Sequence, residues 1–162
     1  MAELIYSNGA VYRGEMKDGK PHGIGKFEAP DGFTYEGEWQ CGKMHGVGTS
    51  RWSDGAVYVG GYEAGKTHGR GRFTFSNGDY YDGEYVRGNW CGKGTFSMSD
   101  PLVVYEGEFL NGKPHGFGEQ RAGDGTVYVG EWQEGDWHGE GTLTLPDGSV
   151  LHGRFERGNF LG

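Results

Sequence analysis

Residues 35–48 read Tyr-Glu-Gly-Glu-Trp-Gln-Cys-Gly-Lys-Met-His-Gly-Val-Gly. The same frame recurs on anchors Tyr12, Tyr35, Tyr58, Tyr81, Tyr105, Tyr128 and Leu151. The anchors lie 23 residues apart, except for 24 between Tyr81 and Tyr105. Glycine recurs three residues before the anchor and two, seven, eleven and thirteen after it. These positions hold 33 of the 35 glycines, leaving only Gly61 and Gly123 outside the frame. A fixed period of this length marks a repeat architecture.

Each unit reads as two short strands. The anchor, the glycine two residues on and a bulky residue four on share one strand face. That bulky residue is Met16, Trp39, Tyr62, Tyr85, Phe109, Trp132 or Phe155. The second strand is clearest over His68–Phe75, with Gly69, Gly71, Phe73 and Phe75 on one face. A loop carrying Gly19 or its equivalents joins the two strands. Asp31-Gly32, Asp54-Gly55, Asn77-Gly78, Asp124-Gly125 and Asp147-Gly148 join each hairpin to the next. Such dipeptides favour positive φ in two-residue turns. A loop centred near its glycine sets the +2 glycine roughly opposite the +13 glycine, leaving a slot for aromatic rings.

The other face carries Glu15, Glu36, Glu38, Glu63, Asp82, Glu84, Glu106, Glu108 and Glu131 on first strands. Second strands carry Lys26, Arg51, Arg70, Arg72, Lys93 and Arg121 there. That alternation predicts cross-strand ion pairs on a solvated face. The expected fold is all-β: an elongated, twisted antiparallel meander of stacked 23-residue hairpins, open-ended and solenoid-like. It forms one array over 1–162, with partial repeats at 1–11 and 151–162. Starting and stopping inside the repeat reads as a piece of a longer array. An exposed edge strand invites pairing. The expectation is a homodimer through the C-terminal end, where Phe155, Phe160 and Leu161 are taken as uncovered.

Composition narrows the function. The net charge of -8, from 23 acidic and 15 basic residues, repels phosphate backbones and excludes nucleic acid as the partner. Two cysteines in 162 residues do not make a disulfide framework, which points to a reducing, cytoplasmic setting. No apolar stretch approaches the roughly 18 residues that cross a bilayer. Met1-Ala2-Glu3 opens no signal peptide.

The unit resembles the MORN repeat (membrane occupation and recognition nexus), Tyr-x-Gly-x-x-x-x-Gly-x-x-His-Gly-x-Gly. Residues 12–25, 35–48, 58–71, 105–118 and 128–141 match it outright; 81–94 departs only at Cys91. The resemblance implies stacked hairpins and a non-enzymatic scaffold for protein partners, at cytoskeletal or membrane-associated structures. Two alternatives go with it: a peripheral module binding anionic phosphoinositides, and an accessory region of a larger enzyme such as a lipid kinase or a lysine methyltransferase.

Candidate sites are few. His22, His45, His68, His115 and His138 hold one repeat position, so they are expected to satisfy loop backbone groups rather than to catalyse. Neighbours about 10 Å apart cannot share one ion. No catalytic residue, cofactor or resident metal is expected, and the Gly-x-Gly pairs lack the context of a phosphate loop. Cys41 and Cys91 are expected as free thiols, with an intermolecular disulfide or an interface zinc site as the minor alternative. Pro101, in Ser99-Asp100-Pro101-Leu102-Val103, replaces the usual turn and is expected to interrupt the ladder, either as a harmless loop variant or as a bend or hinge. Much of the aromatic face is expected to pack on itself across the glycine slots, and the remainder to leave a groove for a peptide or helix. Its contacts would be Trp39, Trp52, Tyr62, Tyr85, Phe109 and Trp132, with Trp90 and Trp137 in loops.

Overall fold

The computed structural model describes residues 2–162. Fifteen strands follow one another in sheet order as a single open antiparallel meander. They are β1 (Ala2–Ile5), β2 (Val11–Lys17), β3 (Lys20–Glu28), β4 (Thr34–Gln40), β5 (Lys43–Arg51), β6 (Val57–Glu63), β7 (Lys66–Thr74) and β8 (Tyr80–Val86). Then come β9 (Asn89–Ser99), β10 (Leu102–Leu110), β11 (Lys113–Ala122), β12 (Val127–Gln133), β13 (Asp136–Thr144), β14 (Val150–Glu156) and β15 (Asn159–Phe160). Two compact units divide the chain: one runs to Asn77 and includes Tyr85–Gly88, the other holds Gly78–Glu84 and Asn89–Gly162.

In the first unit the glycines form a ladder. Gly14 faces Gly25, Gly25 faces Gly37, Gly37 faces Gly48, Gly48 faces Gly60 and Gly60 faces Gly71. The second unit repeats it through Gly94, Gly107, Gly118, Gly130, Gly141 and Gly153. The anchor ring fills the slot: a Cβ on Gly25 would fall on the Tyr12 ring, and one on Gly48 on the Tyr35 ring. The phenol then donates to the backbone carbonyl three residues on, as in Tyr35 to Glu38 at 2.8 Å and Tyr128 to Glu131 at 2.7 Å.

The bulky +4 residue packs between two anchors. Trp39 lies edge-on to Tyr12 and Tyr35, and Tyr62 to Tyr35 and Tyr58. In the second unit Phe109 takes Tyr81 and Tyr105, Trp132 takes Tyr105 and Tyr128, and Phe155 meets Tyr128. Centroids stand 4.9–5.3 Å apart in both series. Each such pair adds about 0.5–1.5 kcal/mol beyond its area. The indole N–H of Trp39 and of Trp132 also donates to Gly25 and Gly118 carbonyls, at 3.0 and 3.1 Å.

The turns differ from expectation. Two-residue turns with positive φ at both positions lie inside the hairpins, as at Asp18-Gly19, Cys41-Gly42, Ala64-Gly65, Asn111-Gly112 and Glu134-Gly135, and also at Arg87-Gly88 and Arg157-Gly158. Their first residues have φ of 49–53° and their glycines 75–90°, as type I′ requires. The Asp-Gly connectors are longer. Only Gly32 of Ala29–Phe33 has positive φ, Gly32 N–H donates to Ala29 O, and Asp31 Oδ1 accepts from Phe33 N–H. The Asp is an Asx-turn acceptor, not a left-handed residue. Turn glycines also stitch hairpins together: Gly42 N–H donates to Pro21 O at 2.9 Å and Gly135 N–H to Pro114 O at 2.9 Å.

Pro101 does not interrupt the ladder. Asp100 and Pro101 form the turn, and pairing runs from Leu102 opposite Ser99 through Phe109 opposite Gly92.

Candidate binding surface

Much of the expected aromatic groove is core. Trp39, Tyr62, Tyr85, Phe109 and Trp132 are buried. They are correspondingly unavailable to a partner, because each side chain is enclosed by neighbouring anchors. Trp52 is half-buried between Phe33 and Phe73, at 5.4 and 5.3 Å. Trp90 and Trp137 are not in loops. The two-residue turns start β9 and β13 early, so both are strand residues. They stack flat on Tyr81 and Tyr128, at 4.3 and 4.8 Å. Phe155 is buried rather than uncovered, being packed by Tyr128 and by Phe160 at 5.2 Å. Phe160 and Leu161 are exposed, although β15 pairs with β14 and Leu161 N–H donates to Arg154 O.

The histidines act on backbone. Nδ1 of His22, His68 and His115 accepts from the N–H of Cys41, Arg87 and Glu134, at 3.3–3.4 Å. Cys41 is exposed in its turn, Cys91 is half-buried, and both are free thiols. Among the described residues no group of three or more His, Cys, Asp or Glu could hold a metal.

The repeating glutamate corrects the ion-pair expectation. In the hairpins β2–β3, β4–β5, β6–β7, β10–β11 and β12–β13 the register shifts after the +2 glycine. The shift turns the +3 carboxylate onto the opposite strand. Oε2 of Glu38 accepts from Val47 N–H, that of Glu84 from Lys93, that of Glu108 from Phe117 and that of Glu131 from Glu140, each at 2.5 Å. Glu15 and Ile24 N–H make the same pair. Five of the nine acids assigned to cross-strand pairing are therefore backbone clasps. Pairs do form between Arg13 and Glu3 at 2.8 Å and between Arg121 and Glu106 at 3.7 Å. Exposed pairs of this kind contribute at most about 1 kcal/mol each.

The clasp leaves one residue facing outward between the two glycines of each Gly-x-Gly. In the first unit it is Ile24, Val47 or Arg70; in the second it is Lys93, Phe117 or Glu140, of which Phe117 is 57% exposed. Phe117 was not singled out from sequence, although a Phe at a position of solvent-facing alternation was the available signal. A groove of about 530 Å³ lies beside it, lined by His115, Phe117, Glu131, Trp132 and His138 among others.

The family model of the MORN repeat matches residues 12–34, 35–57, 58–80, 81–100, 105–127 and 128–150. This chain belongs to the MORN repeat family. No curated protein matches the MORN array by sequence. Among solved structures it is similar to the TCP domain of Drosophila melanogaster SAS-4 (dCPAP), solved in complex with a proline-rich motif of Ana2 (dSTIL). That match has a TM-score of 0.53 at 14% identity, over 94% of this chain and 83% of that one, and bears on fold alone. A streptogramin B lyase aligns at TM-score 0.24 and 8% identity, over 96% of the MORN array and 68% of its own chain, too distant to bear on the fold.

Proposed function

We propose that this MORN array is a non-enzymatic protein-interaction scaffold that docks segments of partner proteins on its exposed sheet surface. The observation that carries it is the set of large apolar side chains left outside a core that already satisfies itself. Ile24, Val47 and Phe117 are all more than half exposed at one repeat position. Single exposed apolar residues are ordinary, but apolar side chains exposed together mark interaction sites, and Phe117 stands with exposed Leu110 along one groove. The repeat is in general a binding unit rather than a catalytic one, and the SAS-4 neighbour was solved with a partner motif. The docking surface is relocated from the aromatic row, which is core. A cytoplasmic location, at cytoskeletal or membrane-associated structures, goes with this reading. The phosphoinositide alternative gains no support, since Lys26 and Arg121 are paired with carboxylates.

The test is selection of displayed random peptides on the immobilised chain. Peptides sharing a motif, and competing with one another in solution, are expected. Enrichment no better than on an unrelated β-sheet protein removes the reading.

Self-association is a second reading, favoured by exposed Leu161 beside Phe160 at the edge of β15. Light scattering is expected to give a dimer mass at high concentration. A monomer mass throughout removes this second reading without touching the first.

A further inference from the structure

We infer that the β10–β13 surface of the second unit docks a basic, extended segment, with an aliphatic side chain seated against Phe117. This rests on the scaffold reading above and adds the site and the chemistry of the partner. The groove beside Phe117 continues into a second of about 490 Å³, since both are lined by Glu108, His115 and Gly116. The joined groove reaches from Gly92 in β9 to Gly139 in β13. Four strand spacings make about 19 Å, the reach of roughly six extended residues. Gly92, Gly116 and Gly139 all have φ of 69–89°, and a Cβ on any of them would strike the clasping Glu84, Glu108 or Glu131. The groove is thus kept free of side chains at every second strand. Phe117 and Leu110 stand along it, 57% and 44% exposed, and Lys93 lines its β9 end, so the acidic part of the groove is the stretch from β10 to β13.

Charge chooses the occupant. Residues 102–144 carry eight carboxylates against Lys113 and Arg121, a local net of -6 within the chain total of -8. The rest of the chain, with 15 acids and 13 bases, is nearly balanced. The acids converge on Phe117. Glu108 clasps its N–H, Glu131 is its partner across the ladder, and Glu131 in turn clasps Glu140. Beside that row Glu106 stands directly opposite Glu119. Like charges facing each other across strands cost stability. Arg121 alone bridges them, at 3.7 and 3.3 Å. Ile24 holds the same repeat position in the first unit, but there the next row pairs Arg13 with Lys26 and Lys26 with Glu36. An apolar anchor among carboxylates that outnumber the nearby cations matches a segment in which Arg or Lys alternates with aliphatic residues. Guanidinium groups would pair with the carboxylates and lie over the Phe117 ring.

The probe is a fluorescein-labelled octapeptide alternating Arg and Leu, with a Glu-for-Arg counterpart, followed by fluorescence anisotropy on the full chain. Saturable binding of the Arg/Leu peptide, none of the Glu/Leu peptide, and weakening by added salt are expected. Phe117→Ser is expected to weaken binding about tenfold or more, while Val47→Ser leaves it unchanged. Glu119→Gln with Glu140→Gln is expected to flatten the salt dependence. Circular dichroism confirms that each variant is folded. Equal binding of the two peptides, no saturable binding of the Arg/Leu peptide, or indifference to Phe117→Ser in a folded variant overturns the inference. A displayed-peptide motif that is not basic and survives Phe117→Ser leaves the scaffold reading standing while this inference falls.

Discussion

Gly48→Ala is expected to destabilise the first unit by about 3 kcal/mol, at the upper end of what overpacking costs. The added Cβ would land on the ring of Tyr35, and that ring has nowhere to retreat. Tyr35 is fully buried, held edge-on by Trp39 at 5.2 Å and by Tyr62 at 5.1 Å. Its hydroxyl donates to Glu38 O at 2.8 Å, with His45 O at 3.3 Å. The facing Gly37 closes the other side, since a Cβ there would lie 2.6 Å from Val47 O. Gly65→Ala is the control. Gly65 has open space around it but a φ of 86°, so only the left-handed backbone cost of about 1–2 kcal/mol applies. Urea denaturation measures both. The physical cause is separable by a double-mutant cycle. Tyr35→Leu is itself costly, but Gly48→Ala in that background is expected to add less than about 1 kcal/mol, because the clash partner is gone. Strict additivity of the two changes would show that the glycine is needed for its backbone and not for the slot.

The slot was legible in the sequence because two independent spacings agree on it. A loop centred near Gly19 puts Gly14 roughly opposite Gly25, and the observed pairing of the two is completed by a register shift between Met16 and Gly14 that the sequence does not show. The anchors and +4 aromatics were legible as one face for the same reason of period two. The extent of their burial was not. A single strand pattern does not reveal that Trp39 reaches across to the anchor of the preceding hairpin. Trp90 and Trp137 were misplaced because Arg87 and Glu134 take left-handed φ of 49° and 53°, which their side chains do not advertise. Each turn is therefore two residues long and the Trp falls within the strand. The glutamate clasp was hidden too. Alternation places Glu108 on the solvent face, while the register shift beside it turns the carboxylate onto Phe117 N–H. The uneven charge of residues 102–144 was countable throughout, but it acquires meaning only once the register sets Glu106 against Glu119.

Raising the pH is expected to unfold the array cooperatively, beginning about one unit above the ordinary tyrosine pKa of 10. Burial is the main cause in every anchor affected. It pushes Tyr35, Tyr58 and Tyr105 well above the usual range and Tyr128 up to about 12. Neighbouring phenols and carboxylates add to it: Tyr62 beside Tyr35 and Tyr58, Glu108 beside Tyr105, Glu131 beside Tyr128. The sign follows from which form the fold holds. The folded chain keeps these phenols neutral, whereas the unfolded chain ionises them near pH 10. Their contribution is complete below that value and is lost as pH climbs toward the raised pKa values. Because the anchors are linked through shared +4 aromatics, ionising one removes support from the next. Tyrosinate absorbance and the β signal in circular dichroism are therefore expected to change together in one steep transition. Tyr58→Phe separates this from general alkaline damage. It loses the hydrogen bond to Gly61 O at 2.8 Å, which costs about 1 kcal/mol at neutral pH. It also deletes one of the phenols that must ionise, so its alkaline transition is expected to be shallower than that of the parent chain. Smooth titration of all tyrosines near pH 10 with the β signal intact would mean that the anchor rings are open to solvent, and the core as described here would be wrong.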